Sequence, residues 1–375
     1  MRWLIFSSVF LIVAACSGVT REPVSILDLK DPQVPGIEGS RYWADETPPN
    51  LVDLLKEIEA QRRASGLTGP SIDLTLSGGG ENGAFAAGIL TAWSESGTRP
   101  EFGTVTGVST GALTAPFAFL GPEYDDELRR LYGGLPPSAI FSIRSIFGIL
   151  PNASVYDTSA LERLLEEYVD ADFLEEIAVE HKRGRRLLVQ SVSLDAQRPV
   201  IWDLGRIAAS NAPNAVDMFR SALLASASVP GVFPPVLIDV ETDEGIKDEL
   251  HVDGGVNSQS AFLPGWNIPT RFVRGNTVYA IRNGKVLPEP EIVKAGIAPV
   301  SARSLATMIK VQGANDLREA YARNRQTNGR YFATWISLDF SVPLERPFDP
   351  EYMQALFKYG YDRFKAGNLW STTPP

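Results

Sequence analysis

Apolar and polar positions along the chain switch between two periods, and the switches mark its elements. Ser71-Ile72-Asp73-Leu74-Thr75-Leu76 alternates as a half-buried strand does, and Ala84 to Glu95 is small and apolar throughout, as in a buried helix. Phe102 to Val108 is a short apolar run, read as a second strand, and it opens onto a helix beginning at Leu113-Thr114-Ala115 with Pro116 in its first turns. Upstream, Leu51, Leu54, Leu55 and Ile58 recur at i, i+3, i+4 and i+7, one apolar helix face, with Asn50 placed to cap it and Gly66 and Gly69-Pro70 to end it. Downstream, Asp125 to Leu131 reads as a polar helix, and Ser159-Ala160-Leu161-Glu162 as a capping-box start for a helix to about Val169. Arg186 to Ser193 and Pro199 to Asp203 read as buried strands, and Ala215 to Ser228 as a helix. The tail adds strands over Thr277 to Ile281 and Ala333 to Leu338 and helices over Ser301 to Asn324 and Pro350 to Ala366, expected to extend the same sheet. Trp202, Phe219 and Phe233 are candidate core residues. Strands alternating with helices predict an α/β fold with a mainly parallel sheet.

Three loops in this pattern carry chemistry. The first strand runs into Ser77-Gly78-Gly79-Gly80-Glu81-Asn82-Gly83 and then a helix. Successive backbone N–H groups beside a helix N-terminus form an anion-binding nest. Gly78, Gly80 and Gly83 also fit a dinucleotide loop, but the acidic residue at the right distance, Glu101, lies before the second strand rather than at its end; a P-loop is excluded because Gly-Lys-Ser/Thr is missing. The second strand ends in Gly107-Val108-Ser109-Thr110-Gly111, a sharp turn that projects a serine at the positive end of a helix dipole. Far downstream comes His251-Val252-Asp253-Gly254-Gly255, whose aspartate is the best-placed candidate base for Ser109. A Ser–His–Asp triad through His251 or His181 is the mechanistic alternative.

Ser77-Gly78-Gly79-Gly80 with Gly83, Gly107-x-Ser109-x-Gly111, Ala225-Ser226-Ala227-Ser228 running to Pro230 and Phe233-Pro234-Pro235, and Asp253-Gly254-Gly255 occur in that order. Together they resemble the blocks of the patatin-like phospholipase family, over about Ile72 to Pro264. The resemblance implies a three-layer α/β/α fold and a Ser109–Asp253 dyad. It further implies an oxyanion hole in the Gly78, Gly79, Gly80 loop and hydrolysis of acyl esters, chiefly of phospholipids and other lipids, without metal or other cofactor. Many members of the family carry Arg where this chain has Asn82, so charge from that position is missing. An acyltransferase or an esterase of other substrates on the same site, and a lipid-binding protein without turnover, are the alternatives.

Composition narrows the setting. The chain has 375 residues, 44% hydrophobic and 21% charged, with a formal charge of -10. It is long enough for a large core, and its charge argues against nucleic acid as a partner. The densest basic cluster, His181-Lys182-Arg183-Gly184-Arg185-Arg186, reads as a solvated turn before a strand. One cysteine and two histidines exclude intramolecular disulfides and leave little for a zinc site. That cysteine follows a positive n-region, Met1-Arg2-Trp3, and an apolar run from Leu4 to Ala15 that is too short to span a bilayer. Val13-Ala14-Ala15-Cys16 resembles the lipobox of bacterial lipoproteins. The expected organisation is a signal peptide over 1–15, a lipidated tether over 16–50 and a leading helix over 51–70. A catalytic core over 71–265 and an extension of the same domain over 266–375 complete it. The protein would be anchored through Cys16 in the bacterial envelope, at the outer membrane by the following Ser17. Ile140, Phe141, Ile143, Ile146, Phe147, Ile149 and Leu150, within the loop-rich stretch from Pro136 to Asn152, read either as a core helix and its flank or as a lid over the site.

Overall fold

A computed structural model describes residues 21–30, 32–144, 154–261 and 266–375. Among these, the strands are β1 (Arg41–Trp43), β2 (Ile72–Leu76), β3 (Thr104–Val108), β4 (Ser142–Ile143), β5 (Tyr156–Asp157), β6 (Arg186–Ser193), β7 (Arg198–Asp203), β8 (Val236–Thr242), β9 (Gly245–Asp253), β10 (Thr277–Arg282) and β11 (Arg330–Trp335). The longer helices are α1 (Leu51–Ala64), α2 (Gly83–Glu95), α3 (Thr110–Leu120), α4 (Asp125–Gly133), α5 (Ser159–Tyr168), α6 (Ala171–Lys182), α7 (Leu204–Ala209), α8 (Ala215–Ser226), α9 (Ile297–Gln326) and α10 (Pro350–Lys365).

All strands but the β4–β5 pair join one sheet in the order β1-β7-β6-β3-β2-β10-β11. From β6 to β11 every pairing is parallel, and β7, β1, β9 and β8 add antiparallel strands. Helices flank this sheet: α2 packs on α10 and α4, α3 on β3 and β6, α8 on β6, and α9 on β10 and β11. The α/β class read from the pattern is therefore the class of the protein. The parallel strands are covered by helices, and their apolar side chains are shut away from water: Leu74 and Leu76, Val105 and Val108, and Leu187 and Val189 are all buried.

Several expectations need correction. The stretch before α1 is no tether over its described part. β1 pairs antiparallel with β7, Val34, Ile37 and Trp43 are buried in the main core, and Arg21 bridges Asp195 and Asp248. The prolines of this segment suggest a loose tether, but apolar residues between them pack into the core and β1 covers the edge of β7. The basic cluster 181–186 is only partly solvated: Lys182 is exposed and Arg183 half-buried, but His181, Arg185 and Arg186 are buried. The two guanidinium groups find partners there, Arg185 in the Phe102 carbonyl at 2.7 Å and Glu180 at 2.8 Å, and Arg186 in Gln61 at 2.9 Å. Asn50 makes no side-chain cap. The cap of α5 is Thr158 rather than Ser159, with the Thr158 hydroxyl donating to Glu162 at 2.8 Å. β11 begins and ends three residues earlier than expected, because its register is set by pairing Arg330 to Trp335 with β10, and Ile336 then turns into the main core. The β8–β9 hairpin and α6 are additional to the elements that the pattern predicts. The signal-peptide residues, Cys16 and the end of the apolar stretch (145–153) lie outside the described residues. Among the described residues, no helix is long and apolar enough to cross a membrane.

Candidate active site

The site is assembled along one edge of β6. β3 pairs in parallel with the first part of that edge and ends with Val108 opposite Gln190. β9 arrives from the other direction, antiparallel, and ends with Asp253 opposite Ser191. The two strands thus terminate head to head at neighbouring residues of one edge, which brings together Ser109, the first residue beyond β3, and Asp253, the last residue of β9.

Ser109 has φ 55° and ψ -126°, a conformation that a non-glycine residue adopts only where its surroundings impose it. Its N–H donates to Ser226 Oγ at 3.0 Å, and that hydroxyl donates in turn to the Gln190 carbonyl at 2.6 Å. Its carbonyl accepts from Ala112 and Leu113 at the start of α3. The elbow fits because α3 lies against the end of β2: a Cβ on Gly111 would stand 2.3 Å from the Leu76 carbonyl oxygen. Gly107 lies within β3, just before the elbow. With its backbone fixed, Ser109 presents its hydroxyl at the C-terminal edge of the sheet and the N-terminus of α3.

The two oxygens of Asp253 differ. Oδ1 accepts from the Gly255 N–H at 2.7 Å. Oδ2 is buried without a well-formed hydrogen bond. Burial pushes the carboxyl pKa up to about 7; the Ser109 hydroxyl and the Gly255 N–H offset only part of that rise. Gly254 and Gly255 open a short 3₁₀ turn after β9, and the Gly254 carbonyl accepts from Gln190 Nε2 at 3.0 Å.

The glycine loop lies beside them. Gly78 is corrected as an oxyanion donor, because its N–H already donates to the Gln259 carbonyl at 2.9 Å. Gly79 and Gly80 begin a 3₁₀ turn leading into Gly83 and α2, where intrahelical bonding leaves N–H groups free. At Gly79 the chain passes so close to β10's end that a Cβ would meet the Asn283 carbonyl oxygen at 2.1 Å. Asn82, in the place of the resemblance's arginine, has its Oδ1 occupied by the Tyr352 hydroxyl at 2.6 Å.

Neither histidine joins this group. His251 has both ring nitrogens engaged, Nδ1 with Ser191 Oγ and Nε2 with Glu249, each at 3.0 Å. Glu249 also pairs with Arg41 at 2.7 Å, and Ser191, His251 and Glu249 are wholly inaccessible to substrate at 0% exposure. His181 is buried beside Asp203, and burial lowers its pKa to about 4. Among the described residues no cluster of three or more His, Cys, Asp or Glu is placed to hold a metal.

An apolar pocket opens from Ser109 and Gly80. Leu113, Phe117, Leu165, Phe173, Leu223 and Phe348 are among its walls, and its cavity volume is about 100 Å³. Ile140 of the apolar loop lies on the wall, while Phe141 is buried against Tyr156, Phe233 and Phe348.

Four contributors were not singled out for these contacts in the sequence: Ser226, Gln259, Arg282 and Asn283. Asn283 Nδ2 donates to the Ser77 carbonyl at 2.9 Å and its N–H to Ser77 Oγ at 2.8 Å, tying the glycine loop to β10. For Arg282 and Asn283 the one visible signal is a polar pair before Gly284 at the end of a buried apolar strand.

Comparison with known proteins places these features in a family. The model of the patatin-like phospholipases matches residues 74–265. Patatin-like phospholipase domain-containing proteins of Aspergillus niger and Aspergillus oryzae are each 32% identical to the chain over 180 residues, 46% of its length. That region is 22% and 23% of the two fungal proteins, so the chain matches about a fifth of their length. Among solved structures, VipD from Legionella pneumophila has a TM-score of 0.40 at 14% identity, over 80% of this chain and 67% of that one. Human GIVD cytosolic phospholipase A2 has a TM-score of 0.28 at 11% identity, over 64% and 48%.

Proposed function

The chain belongs to the patatin-like phospholipase family, and from that membership we propose that it is a lipid acyl hydrolase in which Ser109 is the nucleophile and Asp253 its base. The observation that carries the reading is the meeting of β3 and β9 on β6, which sets a strained serine beside a buried carboxylate at the mouth of an apolar pocket. In this mechanism Asp253 takes the hydroxyl proton as Ser109 Oγ attacks an ester carbonyl. The negative charge developing on the carbonyl oxygen is met by the N–H groups of Gly79 and Gly80, and the tetrahedral adduct collapses to an acyl-enzyme as the alcohol departs with the proton. Water, deprotonated by Asp253, then releases the acid. An ordinary aspartate is too weak a base for an alcohol; a carboxyl with pKa about 7 is much better matched.

The pocket supports an acyl chain as the group bound behind the serine, since its walls offer contact area and almost no polar partners. Lipid anchorage at Cys16 belongs to the same proposal and would hold this pocket next to bilayer substrate in the bacterial envelope; Cys16→Ala should then lose labelling by radioactive palmitate.

The test is mass spectrometry of products from a mixed lipid extract incubated with wild type, Ser109→Ala and Asp253→Asn. Free fatty acid and lysolipid from wild type alone are expected. Acyl groups moved to another alcohol would make it a transferase, and equal product from Ser109→Ala would refute the serine mechanism.

A further inference from the structure

The peptide unit joining Gly78 to Gly79 carries the Gly78 carbonyl at one end and the Gly79 N–H at the other. Because the unit is planar and trans, whatever fixes the carbonyl also aims the N–H in the opposite direction. Two donors hold that carbonyl. Arg282 Nη1 donates to it at 2.7 Å and Ser77 Oγ at 2.8 Å. Arg282 Nη1 also reaches Ser77 Oγ at 3.1 Å and Gln259 Oε1 at 3.2 Å, and Gln259 holds the preceding N–H of Gly78 through its carbonyl. Two consecutive peptide planes are thereby fixed from behind, both through partners of one guanidinium.

Arg282 is itself buried, at 3% exposure, at the end of β10. Room for it is made on two sides: a Cβ on Gly313 of α9 would stand 2.6 Å from its Nε, and one on Gly284 3.1 Å from Nη2. The charge facing it from α9 is Asp316, whose Oδ2 accepts from the Gln259 and Ser260 N–H groups. The guanidinium therefore makes no close ion pair among the described residues, and its shortest hydrogen bond goes to a neutral carbonyl. A buried cation spent on a backbone carbonyl polarises that peptide, which strengthens the N–H at its far end as a donor.

We propose that Arg282 is a positioning residue of the oxyanion hole, which through the Gly78 carbonyl aims and polarises the Gly79 N–H toward the developing oxyanion. This rests on the serine mechanism above. Arg282 touches no reacting atom and lies outside the matched residues 74–265. Its effect should fall on the transition state, where charge is present, and little on ground-state binding.

The experiment measures kcat and KM for a p-nitrophenyl ester with wild type, Ser109→Ala, Arg282→Met, Arg282→Lys and Gly313→Ala, each checked for folding by circular dichroism. Arg282→Met should lower kcat by about 100-fold, the scale of losing one oxyanion donor, with KM within about twofold. Arg282→Lys, which keeps the charge but not the three-acceptor reach, should regain about tenfold of that loss. Gly313→Ala, which keeps Arg282 but pushes its guanidinium aside by a Cβ 2.6 Å from Nε, should lower kcat about tenfold. Should Arg282→Met fail to fold, the Lys and Gly313 variants decide between them. A folded Arg282→Met with kcat within about threefold of wild type would overturn the proposal, as would folded Lys and Gly313 variants that both match wild type. Full activity in Ser109→Ala would remove the serine mechanism itself, a separate failure.

Discussion

At the scale of single residues, the proposed base Asp253 would set the pH behaviour. Its proton must be absent for it to act as base, so kcat/KM should rise about tenfold per pH unit below pH 7 and level off above it, following the pKa of about 7. A profile flat from pH 5 to 8 would be incompatible with this base. The same shift bears on stability, with the opposite sense to that of a salt-bridged carboxylate. Below about pH 4 folded and unfolded chains both hold the proton. Between about 4 and 7 the unfolded chain releases it while the folded one retains it, so stability falls as pH rises. Above 7 the folded protein buries a charge, a penalty of about 4 kcal/mol at most for a shift from 3.8 to about 7. Asp253→Asn should therefore be inactive yet melt at a higher temperature than wild type at pH 8, and the gap should close toward pH 4. Calorimetry at the two pH values checks this; a lower melting temperature at pH 8 would contradict it.

At the scale of elements, the elbow depends on how closely α3 approaches β2. Gly111→Ala inserts a methyl 2.3 Å from the Leu76 carbonyl, so α3 must retreat and carry Ser109 with it. Displacement of about 1 Å can lower a rate about 100-fold. Alanine favours a helix over glycine by about 1 kcal/mol, so helix content should hold while kcat falls by about that factor. Circular dichroism beside ester hydrolysis separates the two, and an active Gly111→Ala would show that the contact can relax. Much of this element was legible: Gly107 to Gly111 between an apolar run and a helix announces a serine turn from spacing alone. The hairpin β8–β9 was less so, although Ile238 and Val240 alternate with exposed Asp239 and Glu241. Its second strand, starting with Gly245-Ile246-Lys247-Asp248-Glu249, buries Asp248 and Glu249, and charged inward positions hide a strand from any hydrophobic pattern.

At the scale of the whole molecule, the described segment before α1 is part of the scaffold around the candidate site. Arg41 of β1 reaches across to Glu249 of β9, both side chains at or below 2% exposure, in the strand that ends at Asp253. Arg41→Met would leave the buried Glu249 carboxylate with His251 as its hydrogen-bond partner among the described residues, an imidazole whose pKa is lowered by burial. Breaking a buried pair from one side destabilises by about 3–5 kcal/mol, and denaturant unfolding should show a loss of that size. A loss under about 1 kcal/mol would mean that β1 merely rests on the sheet.

The sequence by itself determined the α/β class, the serine turn, the glycine loop and the Asp-Gly-Gly turn, because each is written in local spacing and in which residues can occupy a tight backbone. Tertiary structure alone decided which of those groups meet. Gly78, Gly79 and Gly80 are equivalent on the page of the sequence, and only the Gln259 carbonyl on Gly78 separates them. His251 and Asp253 are two residues apart, yet pairing with β6 gives one to Ser191 and the other to the site. Arg282 reads as the residue just beyond an apolar strand until β10 is set beside β2, which brings its guanidinium to the Gly78 carbonyl 204 positions away in the chain. Local propensity acts over a few residues, whereas strand register and burial join positions hundreds apart, so residue types are legible in order and their partners only in space.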